Sequence, residues 1–168
     1  MNAPIPIRPE LMTPQALVGY IVERFHNGHR AQLPELIEVS RRVEQVHRHH
    51  SACPAGLADE LEAHLQEIES HMLKEEQVLF PMLMRGMYGP AQGPISVMCF
   101  EHDHHLKAIE NLMRLTNELV LPDGACSTWR RLYDGLGCYV RELTQHIRIE
   151  NEVLFAQARD AAEGARDA

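Results

Sequence analysis

Four stretches of this chain repeat their apolar residues at spacings of three and four, and clusters of glycine and proline separate them. The breakers gather in SACPAG (51–56), RGMYGPAQGP (85–94) and LPDGACS (121–127). The pieces between them read as helices of about 14–50, 57–85, 95–120 and 128–160, because a 3.6-residue period gathers such positions on one helix face. Long amphipathic helices joined by short loops bury those faces against one another. The expectation is an all-α, up-down-up-down antiparallel four-helix bundle over residues 14–160, with 1–13 and 161–168 as flexible termini. Pro34, in QLPELI, removes a backbone donor and is expected to kink or interrupt the first helix.

A chain of 168 residues can bury a core without disulfides or a structural metal, so any metal is free to serve function. The balance of 24 acidic against 16 basic residues, a formal charge of -8, argues against nucleic acid as a partner. Cys53, Cys99, Cys126 and Cys138 stand singly, which fits free thiols in a reducing compartment. No apolar run approaches the ~18 residues needed to span a bilayer, and the start lacks the pattern of a signal peptide. A cytoplasmic protein with no membrane partner is therefore expected.

Polar residues interrupt the stripes. One stripe runs Leu61, Leu65, Ile68, Met72, Glu75, Leu79, Met82; another runs Leu132, Leu136, Leu143, His146, Ile147, Glu150, Leu154. The two glutamates stand where leucine belongs, inside a near-repeat: HMLKEEQVLF (71–80) and HIRIENEVLF (146–155) share His71/His146, Glu75/Glu150, Val78/Val153, Leu79/Leu154 and Phe80/Phe155. The last three pairs read as core. His102 lies in a stripe with Ile95, Met98, Ile109 and Leu112, and His26 lies beside Phe25 in a stripe that includes His29 and Leu33.

An unpaired carboxylate in an apolar core costs several kcal/mol or takes up a proton, and a bound cation removes that penalty. Residues four apart share a helix face, so His71 with Glu75, and His146 with Glu150, each aim two ligands at one point. Residues at one height in an antiparallel hairpin are symmetric about its loop. The midpoint of 102 and 146 is 124, that of 75 and 102 is 88.5, and that of 26 and 75 is 50.5. The first two fall inside expected turns and the third at the edge of one, so His26, His71, Glu75, His102, His146 and Glu150 can share one layer. His47 lies roughly 31 Å from His26 along a continuous helix and is left out. His29 and His105, one turn from His26 and His102, are candidates for a fifth ligand or pocket lining, whereas His49, His50, His64 and His104 are expected to face water. The run KEEQ (74–77) reads as solvated apart from Glu75.

Four histidines and two carboxylates suit a pair of transition-metal ions, with iron the first choice. If both glutamates bridge, an oxo or hydroxo bridge makes five donors per metal and a sixth position stays open for a small ligand. Carboxylate-rich di-iron bundles use Glu-x-x-His with more glutamates than histidines; here the order and the ratio are reversed.

From about residue 14 to 157 the chain resembles the hemerythrin-like domain of the di-iron Repair of Iron Centres family, which protects and repairs iron-sulfur clusters after nitrosative and oxidative stress. The matching stretches are FHNGHRAQLPELI, RRVEQVH, SHMLKEEQVLFPM, GPISVM followed by EHD, ACSTW and HIRIENEVLF. The resemblance implies histidine ligands at His26, His71, His102 and His146, bridges at Glu75 and Glu150, two iron ions, and damaged iron-sulfur proteins as partners. It also covers His47, and it makes Glu67 and Glu101 candidates for orienting imidazoles. Two features depart from the family: His104 and His105 follow Asp103, and only about 13 residues precede the first helix, where full-length relatives carry a domain with a vicinal cysteine pair. The expected function is di-iron stress defence in iron-sulfur cluster repair, through NO binding or reduction or through iron supply. The alternative is a reversible O2 or NO carrier or sensor of hemerythrin type.

Overall fold

Thr13 accepts a hydrogen bond from the Ala16 backbone N–H at 3.3 Å and Pro14 follows at the first helical position, so the first helix starts where its orphan donors are best satisfied. The structure, a computed structural model, describes residues 8–165. Among these residues every regular element is helical, and the elements assemble into four rods. The first rod is α1 (Pro14–Ile21), a π turn (Val22–His26) and α2 (Asn27–Val46). The second is α3 (Leu57–Lys74), a π turn (Glu75–Leu79) and α4 (Phe80–Met84). The third is α5 (Tyr88–Leu115). The fourth is α6 (Ser127–Ile149), a π turn (Glu150–Leu154) and α7 (Phe155–Gly164).

The rods are antiparallel. α1 packs on α4 while α2 packs on α3, α5 packs on both α3 and α7, and α2 on α6 closes the square. The expected four-helix bundle is the observed one, with shifted ends. The first rod stops at Val46, before 50. The third begins at Tyr88, seven residues ahead of the expected start, and ends at Leu115, short of 120. Pro90 is tolerated because it falls in the first turn, where N–H groups have no intrahelical partner. The third rod stops early because Asn117, Glu118 and Leu119 all take positive φ (49°, 56° and 60°), a left-handed run that ends a right-handed helix. Pro34 does not break the first rod: α2 runs through it, and the irregularity lies upstream in the π turn. Helix continues to Gly164, past the expected boundary at 160. The expected flexibility of 1–7 and 166–168 falls outside the described residues.

Two apolar clusters fill the bundle. One holds Leu33, Leu61, Ile68, Met72, Trp129, Leu143 and Ile147, and the other holds Leu17, Ile21, Phe25, Leu79, Phe80, Leu154 and Phe155. Val78, expected in the core, is 51% exposed, because the widened π turn carries it to the outer face. No helix among the described residues is long and apolar enough to cross a membrane, and all four cysteines are free.

Candidate metal centre

Between the two apolar clusters lies a layer of charge. His26, His71, Glu75, His102, His146 and Glu150 are all buried, and the structure brings all six together. They form two quartets, His26/Glu75/His146/Glu150 and His71/Glu75/His102/Glu150, each with donor atoms within 4.8 Å of one another. Both quartets contain both glutamates.

Three of the four rods carry a π turn at this layer. The Glu75 N–H reaches both His71 and Met72 carbonyls, and the Phe80 N–H reaches back five residues to Glu75. In the repeat, Glu150 bonds His146 and Ile147, and Phe155 bonds Glu150. The third π turn ends at His26, with Asn27 bonded to Val22. Such turns widen the helix by one residue and re-aim its side chains, and they gather at functional sites.

Each of the four histidines turns Nε2 inward and gives Nδ1 to a partner. His26 Nδ1–H donates to Glu76 at 2.7 Å, His71 to Glu101 at 2.8 Å and His102 to Asn151 at 2.9 Å. His146 Nδ1 lies 3.2 Å from His29 Nε2. These acceptors place the proton on Nδ1 and leave Nε2 as a lone pair, the tautomer of a metal ligand. The inward nitrogens face each other, His26 to His146 at 3.2 Å and His71 to His102 at 3.1 Å. Aromatic rings fix three of the imidazole planes: Phe25 stacks on His146 at 5.2 Å, Phe80 on His26 at 5.7 Å and Phe155 on His102 at 6.0 Å.

The electrostatics call for positive charge. Burial lowers the pKa of His26, but the Glu150 and Glu75 carboxylates outweigh it and raise the group to about 10; His71 is raised to about 9 by Glu75 against the same burial. Burial works to raise the Glu150 carboxyl, and His146, His102 and His26 hold it well below the usual range. Outside the layer burial prevails: it depresses His29 to about 3 and His64 to about 4, so both are neutral.

Whether these residues fit a metal is decided by the carboxylate oxygens. His102 and His146 nitrogens lie 3.0 Å from Glu150 oxygens, yet none of the four oxygens of Glu75 and Glu150 has a partner in hydrogen-bond geometry. An acceptor left so in an apolar interior is expensive. Four imidazole nitrogens and two such carboxylates converging on two points are the donors a borderline transition-metal pair takes, and the site fits one.

Other residues fall differently from expectation. His64 does not face water: it is buried, with Nε2 2.6 Å from the Tyr139 hydroxyl. His29 is an outer partner of His146 and belongs to neither quartet. His105 is buried one turn beyond His102, also outside both. His47 stands at the C-cap of α2, 3.1 Å from Cys126 Sγ and 4.7 Å from the Trp129 ring, away from the layer. Glu76, expected to be solvated, is held by His26 and by Arg30 Nη1 at 2.8 Å. Asn151 escaped notice altogether. The repeat could have revealed both, since Glu76 and Asn151 each follow the shared glutamate by one residue; their unlike side chains hid the equivalence.

The bundle and its buried histidine–carboxylate layer define a cation-binding helical domain. The chain belongs to the hemerythrin family: residues 19–158 match the family model described as the Hemerythrin HHE cation binding domain. That family implies non-heme iron as the metal. The chain is 48% identical over 142 residues to the iron-sulfur cluster repair protein YtfE of Pectobacterium atrosepticum, 49% to that of Musicola paradisiaca and 48% to that of Yersinia pseudotuberculosis. Each match covers 84% of this chain and 64% of the relative, so the chain spans just under two thirds of the curated relatives' length.

Proposed function

We propose that this chain is a non-heme di-iron protein of nitrosative and oxidative stress defence that serves iron-sulfur cluster repair, by binding or reducing NO or by supplying iron. The observation that carries the proposal is the pair of quartets sharing Glu75 and Glu150, with four buried carboxylate oxygens unpartnered. His26 and His146 would hold one iron, His71 and His102 would hold the other, and Glu75 and Glu150 would be shared by both, with an oxo or hydroxo group expected beside them. Bound there, iron would supply one-electron chemistry and an open position for a small ligand such as NO or O2.

The chain's own residues do the rest. Glu76, Glu101, Asn151 and His29 fix the imidazole tautomers and rings, so the donors need not reorganise when a ligand arrives. Phe25, Phe80 and Phe155 keep water from the imidazoles. The family, and relatives that are iron-sulfur cluster repair proteins, support the repair role; damaged iron-sulfur proteins would be the clients.

Metal analysis of the purified chain should give two irons. Anaerobic NO added to the reduced protein should change its visible spectrum. An unaltered spectrum, or iron well below two per chain, sinks the proposal.

A further inference from the structure

One turn from the layer of the two quartets stands a second set of donors, two buried histidines with unpartnered nitrogens and one exposed glutamate. His64 and Glu67 are three residues apart on α3, on one helix face, and His105 faces them from α5. Their donor atoms lie within 4.8 Å of one another, and none belongs to the quartets. His64 is 2% exposed and His105 is 3% exposed. His64 Nδ1 and both ring nitrogens of His105 have no hydrogen-bond partner. Two buried imidazoles that leave three nitrogens unsatisfied are costly with nothing between them.

We propose that His64, Glu67 and His105 form a third, mononuclear site for a divalent first-row transition-metal ion. Two imidazoles and one carboxylate are the donor set of such ions with positions left open, whereas Ca2+ and Mg2+ select oxygen. The Tyr139 hydroxyl lies 2.6 Å from His64 Nε2; when its oxygen accepts the Nε2–H, Nδ1 is left as the lone pair for the metal. Burial keeps the Tyr139 phenol protonated, so the site carries only the charge of Glu67.

The site is reachable. Glu67 is exposed, and with His105 it lines a solvent-open groove of about 740 Å³ that also contains Ser70, Lys74 and Glu101. Glu101 is the residue that takes the Nδ1–H of His71, and the His71 and His105 rings lie 4.9 Å apart. An ion held at His64, Glu67 and His105 therefore stands between solvent and the dinuclear layer, placed to enter or leave it. That last role rests on the di-iron proposal; the existence of the site does not.

The test is Co2+ titration of the iron-loaded chain, read by visible d–d absorption and metal analysis, beside His105→Ala and Glu67→Gln. The wild type should take one tightly bound Co2+ per chain beyond what His105→Ala takes, and Glu67→Gln should bind it about tenfold or more weakly. Equal Co2+ uptake by wild type and both variants overturns the proposal. Should His105→Ala fail to fold by circular dichroism, Glu67→Gln, changed at an exposed position, decides alone. Iron counted on the same samples separates the two claims: fewer than two irons with His105-dependent Co2+ uptake sinks only the di-iron proposal.

Discussion

Glu76 accepts the Nδ1–H of His26 across rods at 2.7 Å. Its counterpart is Asn151, which accepts the Nδ1–H of His102 at 2.9 Å. Each follows a shared glutamate by one residue, and each reaches the histidine of the preceding rod. The phenylalanine closing each repeat does likewise: Phe80 covers His26 and Phe155 covers His102. The two near-copies are thus two halves of one centre. Each half supplies a histidine and a glutamate from its own rod and locks the histidine of the rod before it.

If Glu76 fixes His26, Glu76→Ala should weaken metal binding about 10- to 100-fold with little loss of fold, since this is the range for outer partners of metal ligands. Glu76→Gln keeps an acceptor oxygen and should fall less. Competition against a chelator of known affinity measures both.

Glu75 and Glu150, the proposed bridges, should matter with and without metal. In chelated protein, Glu75→Leu or Glu150→Leu removes the counter-charge that faces the buried histidines and should lower stability by about 1–3 kcal/mol. In loaded protein the same change should release at least one metal. Thermal melts with metal counts check both, and retention of both ions by either variant would disprove the bridging role.

Metal removal should lower the melting temperature of the wild type. A ligand present at 100 times its dissociation constant stabilises the folded state by about 2.7 kcal/mol, and chelation takes this away. The drop should shrink in Glu75→Leu, and calorimetry of the two forms measures it.

Glu118→Gly should stabilise the turn after α5. Glu118 is exposed, at φ 56° in a run of three left-handed residues, where a side chain is strained and glycine is not. Relief of that strain should exceed the added chain entropy, for a gain of about 0.5–1 kcal/mol by denaturant unfolding. An unchanged midpoint would show the turn to be relaxed.

Much of the bundle was legible because its information is periodic. Leu61, Ile68 and Met72, or Leu132, Leu136 and Leu143, need only a 3.6-residue repeat to be placed on one face. The ends were less legible. GPAQGP reads as a breaker, yet the helix starts before it: Pro90 falls in the first turn and forfeits no hydrogen bond, and the helix runs on through Pro94. Val78 shows the same limit: regular periodicity puts it inside, but the π turn adds a residue and carries it out. His64 looked like one more polar position until Tyr139, 75 residues away, came to its ring.

By itself, the sequence determined the four rods, the layer at which the polar intruders meet, and the six residues that meet there, because spacing within a helix and symmetry about a loop are properties of residue number. Only the tertiary structure decided which atoms face inward, which groups hold each imidazole, and that His64 and His105 are shut away with nitrogens unpaired. Those depend on side chains from different rods coming within a few ångströms, and residue number carries no record of how one rod is turned against the next.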